Sequence, residues 1–371
     1  MNRMDQQTLI YTIGLTLIPG IGDITAKKLI ANCGSSEAVF REKKGNLLRI
    51  PGIGTILAGS ISKQDVLKVA EEEVRFIDRF KIQYFYYQDD NYPERLKNCI
   101  DSPILFFFKG NADLNVKKVL SIVGTRNATS YGKAVCAELV KGLSDSDVLI
   151  VSGLAYGIDT CSHKEALISG LKTVGVLAHG LDRIYPGANK RLAEKMTRSG
   201  GLLTDFPSGT KPDRENFPSR NRIIAGLSDA TIVVEAKESG GALITADIAN
   251  SYNRDVFAVP GRWDDEFSAG CNSLIRNNRA ALIQSAADLK FMLGWEKPVG
   301  AAIVRQTELF IRLSPEEEII VRILRENTEC GIDLLIMVSG LGSGKVANAL
   351  LNLEMQSIIK CLPGKRYKIN R

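Results

Sequence analysis

The sequence predicts an α/β protein: a mostly parallel sheet covered on both faces, with a small helical domain before it and another small domain after it. Three observations lead there. Between about residues 80 and 295, short apolar runs rich in Val, Ile and Leu alternate with stretches of helical periodicity. Near-continuous apolar strands with helices between them mark a sheet buried on both sides. The 371 residues exceed one ordinary domain, and 44% hydrophobic with 24% charged content suits a large core. The texture also changes at either end, to repeated Pro-Gly turns before the alternating region and a helical pattern closed by a hairpin after it.

Residues 1–79 form the first domain. IPGIGDITAKKLI (18–30) and IPGIGTILAGSI (50–61) repeat a tight Pro-Gly-x-Gly turn followed by an apolar-periodic helix. The pair resembles the helix-hairpin-helix motif, in which backbone N–H groups of the turn and the next helix N-terminus face a phosphate. Hairpins that only pack together would leave the same pattern. Residues 80–295 form the core domain, an extended Rossmann-like sheet. Its expected strands are KIQYFYYQ (81–88) and SPILFFFKG (102–110) at the edge, followed by VLSIVG (119–124), DVLIVSG (147–153), KTVGVLAHG (172–180), GLLTDF (201–206), ATIVVEA (230–236) and DVFAVPG (255–261). A polar linker, 296–313, leads to the third domain, 314–371. Ser314 with Glu317 makes a capping box at its first helix, and the run of helices ending in IIKCLPGKRYKI has the pattern of a winged helix. The piece GLGSGK is no Walker motif: Ser339 stands where the first glycine belongs, and Val346 replaces the magnesium-binding Ser/Thr.

Composition removes several classes of function. The seven cysteines (33, 99, 136, 161, 271, 330 and 361) are dispersed and never form CxxC, which fits reduced thiols and neither a disulfide framework nor a zinc site. With only His163 and His179 present, neither a metal site nor histidine-based catalysis is expected, and no cofactor is called for. The start MNRMDQQTLIYTIG lacks a basic region leading into a long apolar run, and no apolar stretch nears the roughly 20 residues that span a bilayer. A cytoplasmic protein without a membrane partner is the expectation. The net charge of +6 is mild, but it is clustered. From Leu181 to Arg222 there are nine Lys/Arg against five Asp/Glu, and the last twelve residues hold five basic residues and no acid. A polyanionic partner would explain this, as would a solvated basic face.

Ligands of such sheets bind beyond the carboxyl ends of the strands. Four loops of this kind carry glycine and polar residues. IVGTRNATSYG supplies Gly124, Thr125, Arg126 and Ser130, and VSGLAYGID supplies Ser152 and Gly153. RENFPSRNR supplies Arg214, Phe217, Arg220, Asn221 and Arg222, and VVEAKESGGALITAD supplies Glu235, Ser239, Gly240 and Gly241. Glycines admit backbone close to a ligand, helix N-termini add partial positive charge, and arginines bind phosphate in two-pronged fashion. Together the loops predict a phosphate site in which Arg126, Arg214, Arg220 and Arg222 meet the charge. Asp159, Asp182 and Asp205 form no defensible catalytic pair. Glu235 serves either as a general base or as a holder of Arg220 or Arg222, and both histidines read as structural.

GTRNATSYG, SGLAYGIDTCSHKEAL, HGLDRIYPGANKRLA, FPSRNRIIAGLSDATIVVEAKESGGALITA and DVFAVPG…GCNSLI, in this order, resemble the DprA/Smf family of DNA-processing proteins. The resemblance spans about residues 90–285 and continues into both flanking domains. It implies a non-enzymatic protein that binds single-stranded DNA without strong sequence preference, protects it, and loads the RecA recombinase during DNA uptake and recombination. It further implies a homodimer formed through the later strands and helices, with Leu274 and Ile275 near the contact. In the implied pocket Arg126 and the basic Arg214 grip phosphate, Phe217 stacks on a base, and Arg220, Asn221 and Arg222 shape the wall. The family's lysine after Tyr-Pro is Gly187 here; Lys190 is its possible replacement. A competing resemblance is the PGGxGTxxE loop of nucleotide phosphoribohydrolases, from which this chain departs at Ser239, Thr245 and Asp247. A purely scaffolding protein with an incidental phosphate pocket is the third reading.

Overall fold

The computed structural model describes residues 4–63, 65–295, 313–327, 329–356, 358–362 and 364–369. They belong to two compact units, Met1–Trp295 and Glu296–Arg371. The expected linker, apart from Leu313, lies outside the described residues.

The first unit is built on a nine-stranded sheet. Its strands are β1 (Gln83–Tyr86), β2 (Leu105–Gly110), β3 (Val119–Val123), β4 (Leu149–Ser152), β5 (Thr173–Val176), β6 (Gly200–Thr204), β7 (Ala230–Val233), β8 (Asp255–Ala258) and β9 (Ala281–Leu282), in the order β1-β2-β6-β5-β4-β3-β7-β8-β9. From β6 to β9 every neighbour is parallel, while the β1–β2 hairpin joins β6 antiparallel. Strands β3 to β7 are buried along their whole length, which is why their sequences read as unbroken apolar runs. Each strand expected from the sequence is present, with ends trimmed by a few residues. The two-residue β9 was not anticipated, being too short to leave a periodic signal. Because the chain proceeds from β3 toward β4 on one side and from β7 toward β8 on the other, the sheet's switch point falls between β3 and β7. A crevice opens there at the strands' carboxyl ends.

The helices before β1 hold the repeat. Gly20 and Gly52 both take left-handed φ values, 86° and 89°, so each copy turns in the same way and a side chain at either would be strained. In each copy the N–H two residues after the proline closes back on the carbonyl of the isoleucine before it: Ile21 onto Ile18, and Ile53 onto Ile50. The helices Asp23–Cys33 and Thr55–Lys63 follow. The second lysine of the first copy ties the two together, Lys28 Nζ donating to the Pro51 carbonyl at 2.6 Å. These helices share one apolar core with β1 and β2 through Leu29, Ile61, Val74, Tyr86 and Phe107.

The second unit has helices Pro315–Glu326, Ile332–Ser339 and Ser343–Met355 and an antiparallel sheet of β10 (Cys330–Gly331), β12 (Arg366–Ile369) and β11 (Ile359–Leu362). Ser314 and Glu317 form the reciprocal capping box at its first helix. Among the described residues no single helix is long and apolar enough to cross a membrane. Ile332–Ser339 and Ser343–Met355 reach that length only when joined across a 117° bend, and they bury Leu335, Val346 and Leu350 in their own core.

Candidate nucleic-acid interface

The crevice at the switch point is a cleft of about 490 Å³. Gly124, Thr125 and Arg126 from the end of β3 form one wall, and Ser239, Gly240 and Gly241, leading into the helix Gly241–Ser251, form the other. The helix Asn216–Leu227 brings Phe217, Arg220 and Asn221 to its side. Arg126 is exposed, and its guanidinium lies over the Phe217 ring at 4.7 Å. This stacking aligns a free cation and an aromatic face on one rim. Tyr185 meets Phe217 edge-on at 6.3 Å and extends the aromatic surface.

The arginine loop is held by Glu235, just past the end of β7. Its backbone carbonyl accepts from Thr125 N–H at 2.7 Å, and its carboxylate accepts from the Thr129 N–H at 3.0 Å and the Thr129 hydroxyl at 2.5 Å. Thr129 in turn caps the helix Ser130–Lys141 through Gly132 N–H. Glu235 thus fixes the loop carrying Arg126. The expectation that it holds Arg220 or Arg222 is corrected, and with both oxygens engaged it is poorly placed as a general base. Ser130 sits exposed at the start of the capped helix and is not among the cleft's lining residues.

Arg220 is 3% exposed, and its guanidinium donates to the carbonyls of Gly153 (2.6 Å) and Val176. A Cβ at Gly153 would run into that guanidinium, which explains the glycine. Burial pushes the Arg220 pKa down to about 10, against the pull of Asp159; it stays charged at neutral pH. Asp159 is buried too, its pKa raised by burial and lowered in part by Arg220. Arg220 therefore ties β4 and β5 to the cleft floor, its guanidinium spent on backbone carbonyls. Ser152 is likewise internal, donating to the Ile122 carbonyl at 2.6 Å.

Arg222 does not reach the cleft. It points the other way and binds Asp23 and Asp205, each at 2.7 Å, along with the Asp101 carbonyl. Two residues, roughly half a turn around the helix, separate Arg222 from the face that Phe217 and Arg220 share, a distinction that near-adjacent letters in RNR conceal. Arg214 and Lys190 are exposed but are not lining residues of the cleft; Arg214 precedes the helix of Phe217, and Lys190 begins the helix Lys190–Met196. Leu274 is 3% exposed and packs in the core with Val233 and Cys271, while Ile275 leans on the same cluster. Leu274 is therefore committed to its own core, and Ile275 is the more exposed of the two.

Both histidines are structural here. Thr173 spends its hydroxyl proton on the Ile150 carbonyl, so the 2.6 Å contact to His163 is donated by Nδ1–H. Burial holds the His163 pKa down at about 3. His179 accepts from Tyr185 N–H at Nε2 and donates from Nδ1 to the Gly180 carbonyl, anchoring the Tyr185 loop. No group of His, Cys, Asp or Glu able to hold a metal occurs among the described residues. The sequence reading missed Lys237 and Tyr185. Lys237 lines the cleft opposite Arg126, 4.6 Å over Phe267 and paired to Glu266 at 2.7 Å. Its position two residues after Glu235, in the same strand-end loop, was the available signal.

Comparison with known proteins places this geometry. The model of the DNA recombination-mediator protein A family matches residues 83–293. The chain belongs to that family. The protein Smf of Synechocystis is 31% identical over 96% of this chain and 98% of its own length, and the DNA processing protein DprA of Streptococcus pneumoniae is 43% identical over 56% and 73%. The X-ray structure of the S. pneumoniae protein superposes with a TM-score of 0.67 at 34% identity, covering 80% of this chain and 100% of that one. DNA processing protein A from Helicobacter pylori, studied for its single-stranded DNA binding mode, covers 57% of this chain and 95% of its own at 27% identity, with a TM-score of 0.52. The family match therefore covers the domain that holds the cleft.

Proposed function

We propose that this member of the recombination-mediator family binds single-stranded DNA in the switch-point cleft, shields it, and delivers it to the RecA recombinase during DNA uptake and recombination. The observation that carries the reading is the exposed Arg126 stacked on Phe217 at the mouth of a glycine-walled cleft. A cation beside an aromatic platform takes a phosphate and an unpaired base, whereas a duplex hides its base faces. The H. pylori relative's single-strand binding and the family's description as a recombination mediator support the partner and the delivery role. We read the protein as a non-enzyme acting in the cytoplasm as a homodimer, with a contact beside Leu274 instead of through it. We assign the N-terminal repeat to paired helix-hairpin-helix turns and the C-terminal unit to a winged helix.

The phosphoribohydrolase reading loses ground on geometry. Asp247, the acid nearest its required glutamate, is ion-paired to Arg279 and does not line the cleft. The test is a titration of labelled oligo-dT with duplex of the same length as competitor. Preference for the single strand supports the proposal; equal competition by duplex overturns it.

A further inference from the structure

A second groove, of about 570 Å³, lies on the far side of Arg126. Arg126 and Asn127 line both this groove and the cleft, so the two meet along one ridge. Lys133, on the helix Ser130–Lys141, and Lys164, on the helix Ile158–Ile168, bring two exposed ammonium groups to the groove. Neither forms an ion pair among the described residues, whereas Glu165 is the lone acid on the wall. Tyr156 stands between, 49% exposed, and lines both the groove and the narrow slot against Phe217. Along the surface the order is therefore Phe217, Arg126, Tyr156, and then the two lysines. An exposed aromatic bracketed by unpaired cations, continuous with a phosphate-gripping arginine, has the chemistry of a single-strand track.

Resting on the function proposed above, we propose that the bound strand does not end in the cleft. It crosses the Arg126 ridge, stacks on Tyr156 and lays further phosphates against Lys133 and Lys164. The footprint of one protomer is then set by both cavities.

The full-length chain is titrated with oligo-dT of increasing length. Wild-type affinity is expected to rise in two stages, as the cleft fills and then the groove. In Lys133→Gln/Lys164→Gln the second stage disappears. For long strands the slope of log affinity against log salt moves toward zero by about 1.4, two phosphates at about 0.7 each. The shortest strand that fills the cleft binds the variant as it binds wild type, and an unchanged melting temperature shows the fold intact. Tyr156→Ala is expected to weaken long strands alone, with no change of slope. Wild-type binding of long strands by the double variant overturns the second site, as does an equal loss on short and long strands. Arg126→Ala separates the two proposals: if it leaves every length unaffected, the cleft reading itself fails.

Discussion

At the scale of single residues, the cleft divides its arginines by task. Arg126 is exposed and stacked, Arg220 is a buried strut, and Arg222 belongs to another face altogether. Arg126→Ala should weaken oligo-dT binding by roughly 1.5–3 kcal/mol, the value of a charge-assisted hydrogen bond, with an unchanged melting temperature. Binding isotherms and thermal scans of one preparation check both parts. Arg222→Ala should do the reverse. It leaves two partly buried carboxylates without their shared cation and should cost about 1–3 kcal/mol of stability in denaturant melts, while the folded fraction still binds DNA. Phe217→Ala removes a stacking surface worth about 1–3 kcal/mol and should leave the salt slope alone. The sequence placed these residue types in the loops that meet around one cleft. It did not show their directions, because Arg220 and Arg222 differ only in helical phase, and phase is resolved by what packs on each face.

At the scale of elements, the helix Asn216–Leu227 is the junction of the first unit. Its start carries Phe217 to the cleft, and its Arg222 is clamped by Asp23, the first residue of the first repeat's helix, and by Asp205 beyond β6. Asp23 also accepts from Ile104 N–H at 2.8 Å, and Lys27, a turn later, donates to Ser102 at 2.7 Å. Glu73, on the helix Val66–Phe80, receives the Ser208 N–H at 2.8 Å. The first copy of the repeat is thus docked on the core by its own helix start, whereas the start of the second copy's helix makes no such contact among the described residues. Asp23→Ala should loosen this docking, seen as faster amide exchange in residues 18–30 and around Ile104, with β3 to β7 unaffected. Strands β3 to β7 were legible because each is a fully buried apolar run, and the paired turns because Pro-Gly-x-Gly recurs. The docking was not legible, since nothing local distinguishes an aspartate that caps a helix from one that holds a distant arginine.

At the scale of the whole molecule, charge and pH give the remaining tests. His163 is held neutral, with its pKa lowered from 6.5 to about 3 by burial, so the unfolded chain takes up a proton that the folded chain refuses. Its contribution is present above pH 6.5 and is lost as pH falls toward 3, at about 1.4 kcal/mol per pH unit within that window. Asp159, Asp205 and Glu73, raised by burial, act in the opposite sense and gain as pH falls. The comparison is therefore between wild type and His163→Gln, whose acid limb should be the flatter of the two in denaturant melts. Of the basic residues gathered between Leu181 and Arg222, Arg220 is a buried strut, Arg222 is tied to Asp23 and Asp205, and Arg183 is paired to Asp182 at 2.7 Å, so the charge of the sequence overstates what a strand meets. With Arg126 in the cleft and the exposed Arg214 just before the helix of Phe217 as the remaining arginines, a strand that meets both but not the second groove should show a salt slope of about −1.4, not the roughly −3 of four free arginines. The central claim is that the cleft holds a strand and not a nucleotide. The direct measurement is competition for labelled oligo-dT by unlabelled oligo-dT and by AMP at equal phosphate concentration. The oligomer should displace the probe and AMP should not; AMP competing as well as the oligomer would contradict strand binding and restore a nucleotide-processing role.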